Sequence, residues 1–168
     1  MNREQVEQRT EELFRGGLHC AEAVLAAVLE SQGISGTEFS PRAASAFGGG
    51  VGRSKKALCG ALSGGLIALG LLQGRDAPNE KWDAVAATAE SVRARFAAGY
   101  GCTTCGKVLE NLGPQEDMDK CIRLSANTAG MFHDALNNPA SAGDAAACGC
   151  TARQAAPAQP SGCGCGCK

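Results

Sequence analysis

The chain has almost no net charge and no long apolar run. Its 168 residues carry 16 Lys and Arg against 17 Asp and Glu, so the formal net charge is −1. No excess charge therefore favours nucleic acid or an anionic membrane surface as a partner. No apolar run approaches the roughly 18 residues of a membrane span, and residues 1–5 are polar rather than a signal region. We expect a soluble cytoplasmic protein with neither kind of partner.

The chain also lacks the signatures of nucleotide binding and hydrolysis. The glycine-rich residues 48–52 have no predicted strand before them and no Gly-Lys-Ser/Thr at the spacing of a phosphate loop. We interpret them as a tight turn that brings bare backbone amides to a site. Arg53, Lys55 and Lys56, which follow, either offset negative charge there or form a solvated run. No carboxylate pair or Ser/His/Asp set stands out, so a redox carrier or sensor is a better expectation than a hydrolase or transferase.

No stretch alternates between apolar and polar residues like a half-buried strand, whereas several have helical spacing. The pattern predicts an all-α class: a compact helical bundle over residues 1–138. Residues 139–168 are rich in Ala, Gly, Ser, Pro and Cys and predict a flexible tail, because they hold too little apolar surface to offset the entropy of ordering. The first two helices of the domain are predicted to end at Gly16 and Gly33. The remaining helices are predicted to span residues 41–47, 59–72, 80–98, 105–112 and 116–137.

The segment at residues 59–72 is apolar almost all round and predicts a buried central helix. Its glycines would allow close helix contacts, although each costs about 1 kcal/mol of helix propensity against Ala. Such a helix also suits self-association, so a homodimer is an expectation. Asn79 is the predicted cap of the next helix, which carries Trp82, and Met118 and Cys121 are expected in the core.

One residue type is abundant: the chain has ten cysteines, in two arrangements. Five lie singly in the predicted domain and five crowd into the tail. Since cytosolic thiols stay reduced and a domain of this size needs no disulfides, so many cysteines indicate metal or redox chemistry. The alternative for any one of them is a small buried apolar residue. The domain cysteines are Cys20, Cys59, Cys102, Cys105 and Cys121, and the tail cysteines are Cys148, Cys150, Cys163, Cys165 and Cys167.

Three domain cysteines fall at predicted helix starts. Cys20, Cys59 and Cys105 lie where unpaired backbone amides and the helix dipole favour negative charge. This placement is expected to lower the pKa of each thiol. It suits thiolates around iron and a single reactive thiolate equally well. His19, beside Cys20, is interpreted as a capping or exposed residue, with metal ligation as the alternative.

These elements follow one another in the order of a known family. They are HCAEAVL at residues 19–25, FGGGVGR at 47–53, CGALSG at 59–64, YG at 100–101, then Cys105 and Cys121. The chain resembles a family of redox-active proteins named for a cysteine, a Gly-Cys-Ala-x-x-Gly element and two further cysteines. The resemblance implies redox activity and assigns the family's cysteines to Cys20, Cys59, Cys105 and Cys121.

The chain departs from the family pattern in two places. Its central element runs Cys-Gly-Ala, and Cys102 is additional. A similar domain occurs in the split-Soret cytochromes, where it accompanies haem and has been linked to an iron–sulfur centre. This chain has no Cys-x-x-Cys-His, so covalent haem attachment has no support.

Four thiolates suit an iron–sulfur cluster, 2Fe-2S or 4Fe-4S, held between the helices of a bundle. The main hypothesis is an iron–sulfur protein for electron transfer or redox sensing, with the four family cysteines as ligands and Cys102 as a spare one. Its redox partner protein has no signature in the sequence. Cys102 and Cys105 also form a Cys-x-x-Cys pair at a helix start, which would suit a thiol–disulfide oxidoreductase on a scaffold other than thioredoxin. Zinc is a further alternative, although structural zinc usually takes cysteines in close pairs.

The tail cysteines form Cys-x-Cys repeats with glycine between them. On a flexible backbone, alternate thiolates can close around one soft cation such as Cu(I) or Zn. The alternative is a low-complexity segment with exposed thiols. The tail therefore adds a third hypothesis, metal sequestration, with delivery of metal or a thiol relay to the domain site as variants.

Overall fold

The computed structural model describes residues 1–34 and 40–138, and the regular elements in these ranges are all helices. The predicted all-α class is confirmed. No helix in the described part of the chain is long and apolar enough to cross a membrane. The elements are α1 (Arg3–Arg15), α2 (Cys20–Ser31), a 3-10 helix (Pro41–Phe47), α3 (Gly60–Gln73), α4 (Asp83–Tyr100), α5 (Cys105–Leu112) and α6 (Asp119–Asn137).

Helix α2 lies at the centre of the bundle. It packs against α1, α3, α6 and the 3-10 helix. Almost every residue from Ala21 to Leu29 is buried, on all faces of the helix. Four of these residues are alanines, whose small side chains let neighbouring helices approach from every side. The prediction that residues 59–72 form the central helix is therefore wrong in position, because α2 takes that place.

Helix α3 is buried at its start and exposed at its end. A Cβ at Gly64 would lie 2.1 Å from the carbonyl oxygen of Ala21, and one at Gly65 would lie 2.0 Å from the ring of Phe132. The prediction that the glycines allow close contact with neighbouring helices is confirmed. Near the end of the helix, Leu71 is 58% exposed.

Two helices begin three residues later than predicted. The carboxylate of Glu80 accepts hydrogen bonds from the backbone N–H groups of Asp76 and Ala77, at 2.8 and 3.3 Å. This turn keeps residues 76–80 outside α4, so Asn79 does not cap the helix, and Trp82 before its first residue is 57% exposed.

The start of α6 is set by two residues with left-handed backbone. Asp117 and Met118 have φ of 45° and 59°, so the helix begins only at Asp119. Residues other than glycine seldom adopt this conformation, and the sequence pattern does not reveal it. Met118, expected in the core, is 45% exposed.

A cavity lined by four cysteines

Four of the five domain cysteines line one cavity of about 650 Å³. They are Cys20, Cys59, Cys105 and Cys121, the four that the family resemblance assigns. Cys102 is 6% exposed, as deeply buried as Cys59, but it is not among the residues that line the cavity. The fold thus brings the four family positions together and leaves the additional cysteine outside them.

Each cavity cysteine lies at the start of a different helix. Cys20 and Cys105 are the first residues of α2 and α5, Cys59 is the N-cap residue of α3, and Cys121 is the third residue of α6. The sequence predicted three of these positions. It missed Cys121 because α6 was expected to start at Glu116. Four helix N-termini, each the positive end of a helix dipole, therefore converge on the cavity.

A short antiparallel contact holds two of the cysteines side by side. The backbone N–H of Cys59 donates to the carbonyl of Thr103 at 2.8 Å, and that of Cys105 donates to the carbonyl of Ala57 at 2.9 Å. These bonds flank an isolated β-bridge. Because each cysteine is tied to the segment that precedes the other, the starts of α3 and α5 are fixed relative to each other.

The glycine-rich loop after the 3-10 helix forms another wall of the cavity. Residues 49–53 all have left-handed backbone, with φ between 56° and 73°. Three of them are glycines, which adopt it at little cost, whereas Val51 and Arg53 each bear a strain of about 1–2 kcal/mol. Backbone hydrogen bonds of 3.0 Å from Arg53 to Gly48 and from Lys55 to Gly49 close the turn. The predicted tight turn is confirmed.

This loop and the start of α3 are in close contact with the cysteine side chains. The backbone N–H of Gly49 donates a hydrogen bond to the thiol of Cys20. A Cβ at Gly50 would lie 2.6 Å from the Cβ of Cys105, and one at Gly60 would lie 2.4 Å from the Sγ of Cys20. Side chains at these two glycines would push the thiols out of place. The interpretation that bare backbone approaches the site is confirmed.

Basic residues stand at the rim of the cavity. Arg53 and Lys55 are among the lining residues, whereas Lys56 is not. The Arg53 guanidinium lies 3.4 Å from the Nε2 of His19, which is exposed and occupies the N-cap position of α2. His19 thus has the capping position that the sequence predicted. The two basic residues place positive charge beside the thiols.

Gln115 is a positioning residue that sequence reasoning missed. Its side-chain nitrogen donates to the Sγ of Cys121 at 3.3 Å, and its side-chain oxygen accepts from the backbone N–H of Cys121 at 2.9 Å. It lies in the loop before α6, where no sequence motif marks it.

Ser125 is a second residue of the cavity that the sequence analysis missed. It lies one helical turn after Cys121 and also lines the cavity, and its i,i+4 spacing from Cys121 is a signal that could have identified it.

Burial controls the protonation of the thiols. Loss of hydration is the main cause that raises the pKa of Cys20, Cys59 and Cys105, and it brings the pKa of Cys59 to about 12. The neighbouring thiols add to the effect: Cys20 and Cys105 raise the pKa of Cys59, and Cys121 raises that of Cys20. The positive charge of Lys55 acts in the opposite direction and lowers the pKa of Cys105. The expected lowering of the pKa at helix starts is therefore wrong, because desolvation outweighs the backbone amides.

All five domain cysteines are thiols, with no disulfide among them. Within residues 1–34 and 40–138, no three His, Cys, Asp or Glu side chains are grouped closely enough to hold one metal ion. The cysteines predicted to bind a soft cation in the tail lie outside the described residues; they are Cys148, Cys150, Cys163, Cys165 and Cys167.

The helices and the cavity define a cysteine-rich all-α protein whose thiols are gathered at helix starts. A family model described as "Putative redox-active protein (C_GCAxxG_C_C)" matches residues 18–135. The chain belongs to this family, as the order of its motifs predicted, and is a redox-active, cysteine-rich protein. Comparison with the curated proteins and with the solved structures gave no match.

Proposed function

We propose that the cavity holds an iron–sulfur cluster and that the protein acts in electron transfer or redox sensing. The observation that carries the proposal is the convergence of Cys20, Cys59, Cys105 and Cys121 on one cavity. Four thiolates are the ligand set of both 2Fe-2S and 4Fe-4S clusters. When bound, the cluster would supply one-electron chemistry that thiols alone lack.

The size of the cavity supports a cluster over a single ion. A tetrahedral zinc site holds its sulfurs about 2.3 Å from one metal, which requires a small enclosure. The four cysteines here are among the residues that line a cavity of about 650 Å³, which is more space than one ion needs. An iron–sulfur cluster places irons and sulfides between its thiolates, so its ligands stand farther apart. The glycines at positions 50 and 60 leave room for the side chains of Cys105 and Cys20, with which a Cβ would collide.

The charge around the cavity also supports the proposal. A cluster with four thiolates carries net negative charge, and the cavity presents the Gly49 N–H, Lys55, Arg53 and four helix N-termini to it. Because the pKa values of Cys20, Cys59 and Cys105 are raised, metal must displace protons from these thiols. Cluster loading should therefore improve as the pH rises.

Exposure indicates where a redox partner protein would approach. Cys20 and Cys121 are partly exposed, whereas Cys59 and Cys105 are buried. An electron crossing at the side of Cys20 and Cys121 has the shorter path to solvent. We assign the docking side of a partner to this face of the cavity.

Anaerobic reconstitution of the full chain with ferrous iron and sulfide tests the proposal. The wild-type protein should become brown and hold iron and acid-labile sulfide in matched amounts. Cys59→Ser should lose most of both. Cys102→Ser is a matched control, because Cys102 and Cys59 are each 6% exposed but only Cys59 lines the cavity. This control should load like the wild type.

Two other results would count against the proposal. A wild-type protein that stays colourless would contradict a cluster in the cavity. Equal loss of iron in Cys59→Ser and Cys102→Ser would contradict the ligand set. Thiol exchange that depends on Cys102 would instead support the oxidoreductase hypothesis.

A further inference from the structure

Ser125 carries an unpaired hydroxyl at the wall of the cavity. It lies in α6, is 0% exposed and is among the residues that line the cavity. In the part of the chain that the structure describes, its Oγ is the only buried side-chain nitrogen or oxygen without a hydrogen-bond partner. Buried polar groups are nearly always paired, since an unpaired one costs about 1–3 kcal/mol. An acceptor bound in the cavity would give this hydroxyl the hydrogen bond that it lacks.

Other buried hydroxyls in the helices behave differently. Thr10, Thr128 and Ser63 each donate to the backbone carbonyl four residues earlier, at 2.8, 2.7 and 3.2 Å. Such a bond satisfies a hydroxyl within its own helix. Ser125 does not make it. Its hydroxyl thus remains available to a group outside the helix.

Ser125 also differs from the second serine at the cavity. Ser45 lines the cavity too, but its hydroxyl donates to the carboxylate of Glu22. Ser125 follows Cys121 by four residues on the same helix, so the two side chains share one face of α6. The free hydroxyl therefore lies on the same face of α6 as Cys121, and both residues line the cavity in which a cluster held by Cys121 would sit.

We propose that the Ser125 hydroxyl donates a hydrogen bond to a sulfur atom of the bound cluster and thereby raises its reduction potential. This inference rests on the proposed function. Reduction adds one electron, drawn from a reduced partner protein, and makes the sulfurs more negative. A donor to sulfur consequently stabilises the reduced state more than the oxidised one. The serine keeps its proton in both states.

The test is the reduction potential of the reconstituted full chain, measured by anaerobic titration. Ser125→Ala should keep the wild-type content of iron and sulfide and shift the potential to a more negative value. Ser125→Thr, which retains a hydroxyl, should restore the potential towards that of the wild type. Thr128→Ala is the control, because Thr128 is buried on the same helix but bonds to Leu124 and does not line the cavity. Its potential should equal that of the wild type.

Three outcomes would overturn the inference in distinguishable ways. If the wild type holds a cluster and Ser125→Ala has the same potential, the hydroxyl does not act on the cluster, and the proposed function stands. If Ser125→Ala loses iron as Cys59→Ser does, Ser125 supports or ligates the cluster rather than tuning it. If the wild type itself binds no cluster, the proposed function and this inference fail together.

Discussion

The two ends of α3 differ sharply, although the helix is apolar along its whole length. At its start, Cys59 is buried and Gly60 lies directly against the thiol of Cys20. Towards its end, Leu71 is largely exposed, and a Cβ at Gly70 would meet no atom within 4 Å. The start lies against the first residues of α2 and the last residue of the 3-10 helix. An apolar sequence therefore does not determine burial by itself; the neighbouring elements decide which end becomes part of a site.

The largest effect is expected from adding one methyl group at the covered end. In Gly60→Ala the new Cβ would lie 2.4 Å from the Sγ of Cys20 and 3.0 Å from the carbonyl oxygen of Phe47. The thiol must move, so reconstitution should yield less than half the wild-type iron and sulfide. Gly70→Ala, at the open end of the same helix, is the control and should load fully. Full loading of Gly60→Ala would show that the position of Cys20 in the structure is not needed.

A smaller effect is expected from pH on the protein kept free of iron. Burial raises the pKa of Cys59 from its ordinary value near 9 to about 12, so the folded state holds a proton that the unfolded state releases. This contribution to stability is fully present below pH 9 and is lost as the pH rises towards 12. The expected loss is up to about 1.4 kcal/mol per pH unit for each such thiol.

Urea denaturation between pH 8 and pH 10.5 measures this loss. The unfolding midpoint should fall with pH, and the fall should be shallower in Cys59→Ser. The unfolding midpoint of Cys59→Ser should still fall somewhat with pH, because burial also raises the pKa of Cys20 and Cys105. An unchanged slope in Cys59→Ser would mean that Cys59 is not held as a buried thiol.

The smallest effect is expected at the open end of α3. Gly70→Ala should raise the free energy of unfolding by about 0.5–1 kcal/mol, because alanine loses less backbone entropy in a helix and meets no neighbouring atom there. Thermal or urea denaturation can resolve this difference. A decrease in stability would show that another surface covers this end of the helix.

Local sequence signals determined most of the helix limits. Glycine after α1, the Ser40-Pro41 pair before the 3-10 helix and the glycine after α5 all mark the observed ends. Three of the four cavity cysteines were placed at helix starts by the same reasoning. These signals work because capping depends on residues only a few positions apart.

What the sequence could not predict depends on tertiary packing. Whether α2 or α3 becomes the central helix depends on how closely the neighbouring helices can approach each of them. Both segments are rich in small residues, so their sequences do not distinguish them. The left-handed pair Asp117 and Met118, which brings Cys121 into the first turn of α6, has no sequence signature. Gln115 is in contact with Cys121 only because a loop folds back on that turn. The raised thiol pKa values follow from burial, which becomes visible only in the folded chain.

The order of the four cavity cysteines along the chain has a consequence for protein synthesis. The first lies in α2 and the last in α6, the final helix that the structure describes. During translation, the emerging chain can offer at most three of these thiols until α6 has been made and has packed against α2. A cofactor that requires all four is consequently excluded from incomplete or truncated chains. Occupancy of the cavity would thus report that the domain has finished folding.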